Sequence, residues 1–233
     1  MKIELAGLLI EIENVGEYTK NMCKNYIYSG ERPADIFIKY DKSAIDNERK
    51  LYPNATDDYL QNLCVYRDIC KQIIKFGAML VHSAAISVDG KGYMFSALSG
   101  TGKTTHINLW LKKFGDRARV INGDKPIIRE VSGEFRVFGT PWCGKEGINE
   151  NISAPIEGIC LLSRGKENKI EKIGSAEAIS SLMEQTSRPS GAESMIELLN
   201  LIEKLLGKVP IYRLFCNMEP EAADVSYEGM CKN

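Results

Sequence analysis

The sequence predicts an α/β fold: a mixed sheet flanked by helices, with a small β-rich lobe at the N-terminal end. Three observations carry that expectation. Apolar residues recur at helical spacing from Leu60 through Leu63, Cys64, Ile69 and Ile73. Short β-branched runs, such as residues 78–88, alternate with such stretches. Two strong turn signals, Asp89-Gly90-Lys91-Gly92 and Ser132-Gly133, join neighbouring runs as hairpins. Hairpins among helices make a sheet mixed, where helical crossovers alone would make it parallel. The 233 residues suffice for one sizeable domain preceded by a lobe. The expected division is a lobe of strands plus a helix over 1–77 and a main domain over 78–233.

Taken in order, residues 3–12 and 34–40 read as strands, with polar, turn-rich segments between and after them, including Asp46 to Lys50. Residues 58–76 read as a helix capped by Asp57 or Asp58 and ended by Gly77. Residues 78–88 and 92–97 pair as a hairpin, and a helix follows over 104–114. Val120 to Asp124 is a short buried strand ending in a carboxylate. Residues 127–130 and 134–138 flank the second turn. Strands over 156–162, 169–173 and 209–216 and helices over 176–186 and 194–206 complete the pattern.

Composition narrows the function. Hydrophobic residues make up 44%, and 30 basic against 31 acidic residues give a formal charge of −1. A nucleic-acid binder or a protein held on an anionic membrane needs a basic surplus, so neither partner is expected. The polar start, with Glu11 and Glu13 close behind, does not resemble a secretory signal, and no stretch approaches the ~20 apolar residues of a spanning helix. A cytoplasmic protein is expected. Its seven cysteines form no Cys-x-x-Cys pair and read as free thiols, and with two histidines no zinc site of the usual spacing is visible.

The strongest local signal is Ala97-Leu98-Ser99-Gly100-Thr101-Gly102-Lys103-Thr104. It matches G-x-x-x-x-G-K-[ST] at every fixed position but the first, where Ala97 stands for glycine. A strand precedes it and a helix follows, the context that a phosphate-cradling loop requires. Gly100 and Gly102 let successive backbone N–H groups face phosphate oxygens. The helix start adds its positive dipole end. Lys103 supplies charge for the β- and γ-phosphates, and the Thr104 hydroxyl can ligate Mg²⁺. The expected ligand is a nucleoside triphosphate, taken as Mg-ATP, held by the loop Ser99 to Thr104. The plain alternative is a glycine-rich turn capping an ordinary helix. Ala97 would be strained if the loop required a positive φ there.

A phosphate loop needs an acid that organises magnesium. Asp124 fits by position, with a turn-capping aspartate before Pro126 as the alternative. In a kinase such an acid can instead accept the proton of the attacking hydroxyl. His82, in an apolar stretch, reads as either a core histidine or an active-site base. The segment Gly139 to Gly147 is dense in turn formers and can close over a substrate. Within it Glu146 is a candidate second metal or substrate contact, whereas Cys143 has no evident base. Arg188, at a helix end, either reaches the transferred phosphate or simply decorates the helix terminus.

Leu98 to Thr105 resembles the phosphate loop of phosphoenolpyruvate carboxykinase, and the span from His82 to Lys103 is similar to the catalytic domain of HPr kinase/phosphorylase. The resemblance implies a mixed-sheet core of that kind, with Thr105 added to the nucleotide-binding residues. It also implies phosphate binding by Gly100, Gly102 and Lys103, magnesium at Thr104, a base or metal-linked role for Asp124, and an active-site position for His82. Asn122-Gly123-Asp124 is similar to the acidic second motif of those families, except that Lys125 stands where a second aspartate is usual. The chain is too short for a carboxykinase. What the resemblance implies is an ATP-dependent phosphotransferase of the HPr-kinase-related type, acting on a hydroxyl of a protein, peptide or small molecule. A nucleotide-binding regulator without phosphotransfer is the rival, favoured by Lys125. The acceptor and the oligomeric state, a homo-oligomer included, stay open.

Overall fold

Ala6 and Gly7 both take positive φ, 52° and 75°, the backbone of a tight two-residue hairpin turn. The apolar run expected as one strand is therefore two: β1 (Lys2–Leu5) and β2 (Leu8–Ile12), paired antiparallel with Ile3 opposite Ile10. A lone glycine in an unbroken apolar run was too slight a turn signal to separate them. The computed structural model describes residues 1–98 and 100–231. In it, α1 (Glu17–Met22) precedes β3 (Ile36–Ile38), which lies parallel to β2. The polar segment around Asp46 is a helix, α2 (Lys42–Leu51), capped by Asp41, whose carboxylate accepts from the Ala44 N–H at 2.9 Å. α3 (Asp57–Gln72) follows, and its cap is Thr56, one residue before the expected aspartates. Both aspartates lie in the first turn, where they complement the helix dipole.

The run at 78–88 breaks at Val81 and His82 into β4 (Ala78–Leu80) and β5 (Ser83–Val88). Next come β6 (Lys91–Ser96), α4 (Lys103–Phe114), β7 (Ala118–Asn122), β8 (Ile127–Val131) and β9 (Glu134–Phe138). The chain continues through β10 (Ser153–Arg164), β11 (Lys169–Lys172), α5 (Ser175–Gln185), α6 (Ala192–Leu206), β12 (Ile211–Cys216) and α7 (Glu221–Cys231). The main sheet runs β4-β8-β9-β10-β6-β5-β7, with β12 joined to β10 and β11 to β12. β10 is parallel to β6 and β12 but antiparallel to β9. The protein is thus α/β with mixed sheets.

Alternation along the strands makes three layers. Ala85, Met94, Ile159, Leu161 and Ile211 pack under α5 and α6. Ala84, Tyr93, Phe95, Cys160 and Leu214 face the other way, against Ile107 and Trp110 of α4 and Ala223 and Met230 of α7. A third cluster joins the small sheet to Val65 and Ile69 of α3, to Ile73 just after it, and to Ala78, Leu80 and Ile127 of the main sheet. Among the described residues no helix is long and apolar enough to cross a membrane, and all seven cysteines are free.

This topology positions a site. β5 is antiparallel to β6, with Ser83 opposite Ser96, and antiparallel to β7, with Ala85 opposite Asn122. The start of β5 and the ends of β6 and β7 therefore share one edge of the sheet. His82, the loop before α4 and Asp124 follow directly from those three strand ends.

Candidate active site

His82 occupies the break between β4 and β5, not the interior of a strand. Its N–H donates to the Gln185 carbonyl at 2.7 Å, and its Nδ1 lies 3.0 Å from Gln185 Oε1. The other ring nitrogen, Nε2, lies 2.9 Å from Asp124 Oδ1 and 3.2 Å from Lys103 Nζ. Lys103 also donates to the Ala97 carbonyl at 3.0 Å and is only 9% exposed. Lys125 Nζ pairs with the remaining oxygen, Oδ2, of Asp124. One histidine, two lysines and one carboxylate thus form a continuous network.

Two of these groups are electrostatically perturbed. Burial works to raise the Asp124 carboxyl, but hydrogen bonds from His82 and Lys125, with the charge of Lys125, hold it well below the usual carboxylate range. Burial lowers Lys103, and Lys125 lowers it further, while Asp124 works to raise it. Lys103 is therefore a desolvated cation whose partners are neutral or shared, ready for a stronger anion.

The carboxylate is aimed by Asn122, which is fully buried. Its Oδ1 accepts from the N–H groups of Asp124 (2.8 Å) and Lys125 (2.7 Å), the side-chain-to-backbone turn that asparagine favours. Its Nδ2 donates to Thr140 O and Oγ1 and to Trp142 O. The segment 139–147 is fastened to the acid in this way. Gly144 comes so close that an added Cβ would lie 3.0 Å from Asp124 Cβ, and its φ of +77° also favours glycine.

The loop itself carries Gly100 at φ +79° and Gly102 at φ +123°, angles that side chains rarely adopt. Ala97 is not among the non-glycine residues of positive φ, so alanine there is unstrained. α4 starts at Lys103 without a side-chain cap and with no acid in its first turn. Its first amides are left for an anion.

A cleft of about 780 Å³ collects these parts. Of the residues singled out in the sequence, His82, Gly100, Gly102, Lys103, Thr104 and Thr105 line it, as do Asp124 and the exposed Glu146. Thr101 faces cavities on the other flank of the loop. Arg188 is exposed on the segment after α5 and lines none of these cavities. Ser99 lies outside the described residues. The opposite wall had no sequence motif: Tyr18 and Met22 of α1, Tyr59, Leu63 and Tyr66 of α3, and Trp142. Tyr66 and Trp142 pack with ring centroids 5.3 Å apart, and buried Asn62 accepts from Trp142 Nε1 at 3.3 Å. Spacing of three to four along α3 was the signal for this wall; Lys125 and Asn122 were legible through their proximity to Asp124.

Sequence comparison matches residues 54–221 to the family described as SynChlorMet cassette protein ScmC. The chain belongs to that family. The description names no reaction, so function rests on the site. No curated protein matches the sequence. Among solved structures, the chain is similar to the HPr(Ser) kinase/phosphatase from Coxiella burnetii, with 8% identity and a TM-score of 0.40 over 66% of this chain and 91% of that one.

Proposed function

We propose that this chain transfers the terminal phosphoryl group of a nucleoside triphosphate, ATP by preference, to a hydroxyl group of an acceptor. The observation that carries the reading is convergence. The glycine loop with the uncapped start of α4 and a nearly buried lysine, the clamped carboxylate and His82 all border one cleft, though they adjoin the ends of three different strands, β6, β7 and β5.

In this reading the loop amides and Lys103 bind the phosphates, and Lys103 exchanges its weak contacts with His82 and Ala97 for phosphate oxygens. Phosphoryl transfer is mostly positioning and charge stabilisation. The acceptor oxygen bonds to phosphorus, the bond to the leaving diphosphate breaks, and the hydroxyl proton leaves late, when the new bond has made it acidic enough for Asp124 to accept it and pass it to solvent. A carboxylate held as low as Asp124 is a weak proton acceptor, so its main task is to orient that hydroxyl. His82 has both ring nitrogens engaged and acts as a positioning residue between Asp124 and Lys103. Mg²⁺ suits the donor set. No group of three acidic, histidine or cysteine residues among the described residues forms a protein cage, and this ion is commonly held by one or two carboxylates, a hydroxyl and substrate phosphates. Thr104 and Asp124 would hold it, with Glu146 available from the 139–147 segment. When bound, magnesium neutralises charge on the phosphates.

One observation favours the rival, a nucleotide-binding regulator without transfer: both Asp124 oxygens are already engaged, one by His82 Nε2 and one by Lys125 Nζ. Calorimetric titration with Mg-ATP and turnover assays against free serine and serine peptides separate the readings. Transfer is expected in the wild type. Lys103→Ala should weaken Mg-ATP binding by about 10- to 100-fold, the loss of a charge-assisted contact, with an unchanged circular dichroism spectrum. Equal affinity in the two proteins would end the proposal. Normal binding, with no phosphorylated product across a broad acceptor screen, would favour the regulator.

A further inference from the structure

A second cavity, of about 460 Å³, opens on the other flank of the loop, within the ~300–1,000 Å³ typical of small-ligand pockets. Gly100, Gly102 and Thr105 line both it and the cleft, so the two spaces meet at the loop. Its outer walls are Leu162 near the end of β10, Cys216 at the end of β12, and Met218, whose apolar side chain is 77% exposed. Arg164, the last residue of β10, donates to the Gly100 carbonyl at 2.7 Å and so holds the loop from this side. His106 also lines the cavity and is 2% exposed. Its Nε2 is 3.0 Å from Ser226 Oγ, but its Nδ1 is buried without a hydrogen-bond partner among the described residues. Orphaned buried polar atoms are uncommon and call for an explanation.

We infer that this cavity receives the base and ribose of the nucleotide, which leaves the aromatic half of the cleft to the acceptor. The inference rests on the loop's binding of phosphate and adds a direction to it. His82, Lys103 and Asp124 line the cleft, and none of them lines the second cavity. In-line transfer puts the acceptor and the leaving diphosphate on opposite sides of the transferred phosphorus. With the terminal phosphate beside Lys103 and Asp124, the rest of the nucleotide trails over the glycines to the far flank. There Leu162 and Met218 offer apolar sides for a flat base, the Arg164 guanidinium offers a stacking face, and His106 Nδ1 offers one polar contact. A third cavity, about 510 Å³, also touches Gly100 and Thr101, but among the described residues it shares Gly100 alone with the cleft, so a chain of phosphates running over both glycines does not lead into it. Tyr18, Tyr59 and Tyr66 then form the surface that an acceptor meets.

Competition calorimetry with ATP and inorganic tripolyphosphate, each with magnesium, tests the direction on wild type, Met218→Glu and Tyr59→Ala. Met218 is exposed, so its substitution leaves folding intact. ATP is expected to bind the wild type at least about tenfold more tightly than tripolyphosphate, the order of one base-stacking contact. Met218→Glu should shrink that ratio, with tripolyphosphate affinity kept within about twofold, while Tyr59→Ala leaves the ratio alone. The reverse pattern, with the ratio lost in Tyr59→Ala and kept in Met218→Glu, places the base in the cleft and overturns the inference while the loop reading survives. Tripolyphosphate that does not bind the wild type at all removes the loop reading, and the inference with it.

Discussion

Acidification probes the packing behind the loop through one residue. His106 lies one turn from Lys103 on α4, 4.6 Å by ring centroid from Phe95, with Trp110 and Ser226 also against it. Burial lowers its pKa from the ordinary 6.5 to about 4. The unfolded chain therefore takes up a proton near pH 6.5 that the folded chain refuses until about pH 4. Between those values the unfolded state binds more protons, so stability rises with pH and is lost as pH falls through that window. At about 1.4 kcal/mol per unit, the gap of 6.5 to about 4 corresponds to about 3 kcal/mol. That is a large share of the ~5–15 kcal/mol that usually separates folded from unfolded chains.

Urea unfolding of the wild type and of His106→Gln, followed by circular dichroism at pH 7.5, 6.5, 5.5 and 4.5, measures this directly. Every carboxylate titrates in both proteins, so the difference between them isolates the imidazole. The variant should be the less stable protein at pH 7.5, because Gln replaces a ring packed among aromatics. The wild-type advantage should shrink by about 2–3 kcal/mol on reaching pH 4.5. A gap that stays constant with pH would mean His106 is not held neutral, and the reasoning from its burial would fail.

Other substitutions address the acid and its supports. Lys125→Met removes one of the two hydrogen-bonding partners that hold Asp124 low, so the Asp124 carboxyl should rise toward the ordinary range; the acid limb of the pH–rate profile for phosphotransfer should move upward, and an unmoved limb would refute the pairing. Gly144→Ala should cost about 1–2 kcal/mol in thermal unfolding for its positive φ and also slow transfer, because the new Cβ presses on Asp124. Gly147→Ala, also at positive φ but with nothing within 4 Å, should cost similar stability and spare the rate. Asn122→Ala leaves the Asp124 and Lys125 amides without their acceptor, while the Thr140 carbonyl keeps Asn149 Nδ2 and the Trp142 carbonyl keeps Thr140 Oγ1, so about 2–4 kcal/mol of stability should be lost in chemical denaturation. An unaltered denaturation midpoint would show that the segment 139–147 is held by other contacts.

The sheet was legible because its signals are local. Asp89-Gly90 and Ser132-Gly133 carry positive φ at each residue, as two-residue hairpin turns demand, and Asp and Ser at the first positions are readable turn chemistry. The Ala6-Gly7 turn uses the same backbone with an alanine that gives no such warning, and two strands were read as one. α2 was missed for a related reason. Its surface is nearly all polar, with Glu48 as its buried residue, so no apolar stripe marks it, and the Asp41 cap is the visible cue. The β4–β5 break was also hidden. Val81 is fully buried like a strand residue, yet its N–H bonds to Pro126 O and that of His82 to Gln185 O, outside either strand.

The site divides along the same line. Loop chemistry forces glycine, lysine and threonine into a fixed spacing, because one stretch of backbone must wrap one group of phosphates. Any sequence that does so shows it. The acid side is held by pairings across long intervals: His82 with Gln185, Asn122 with Thr140, Trp142 with Asn62. Each of those bonds could be made from other positions, so no spacing records them. The aromatic wall is freer still, since Tyr18, Tyr59 and Tyr66 belong to helices outside the main sheet and touch the loop only across the cleft. An acceptor read by such a wall is selected by side chains that the loop chemistry leaves unconstrained. Under the proposed function, recognition of the acceptor would therefore change by substitution on α1 and α3 while Lys103 and Asp124 stay in place.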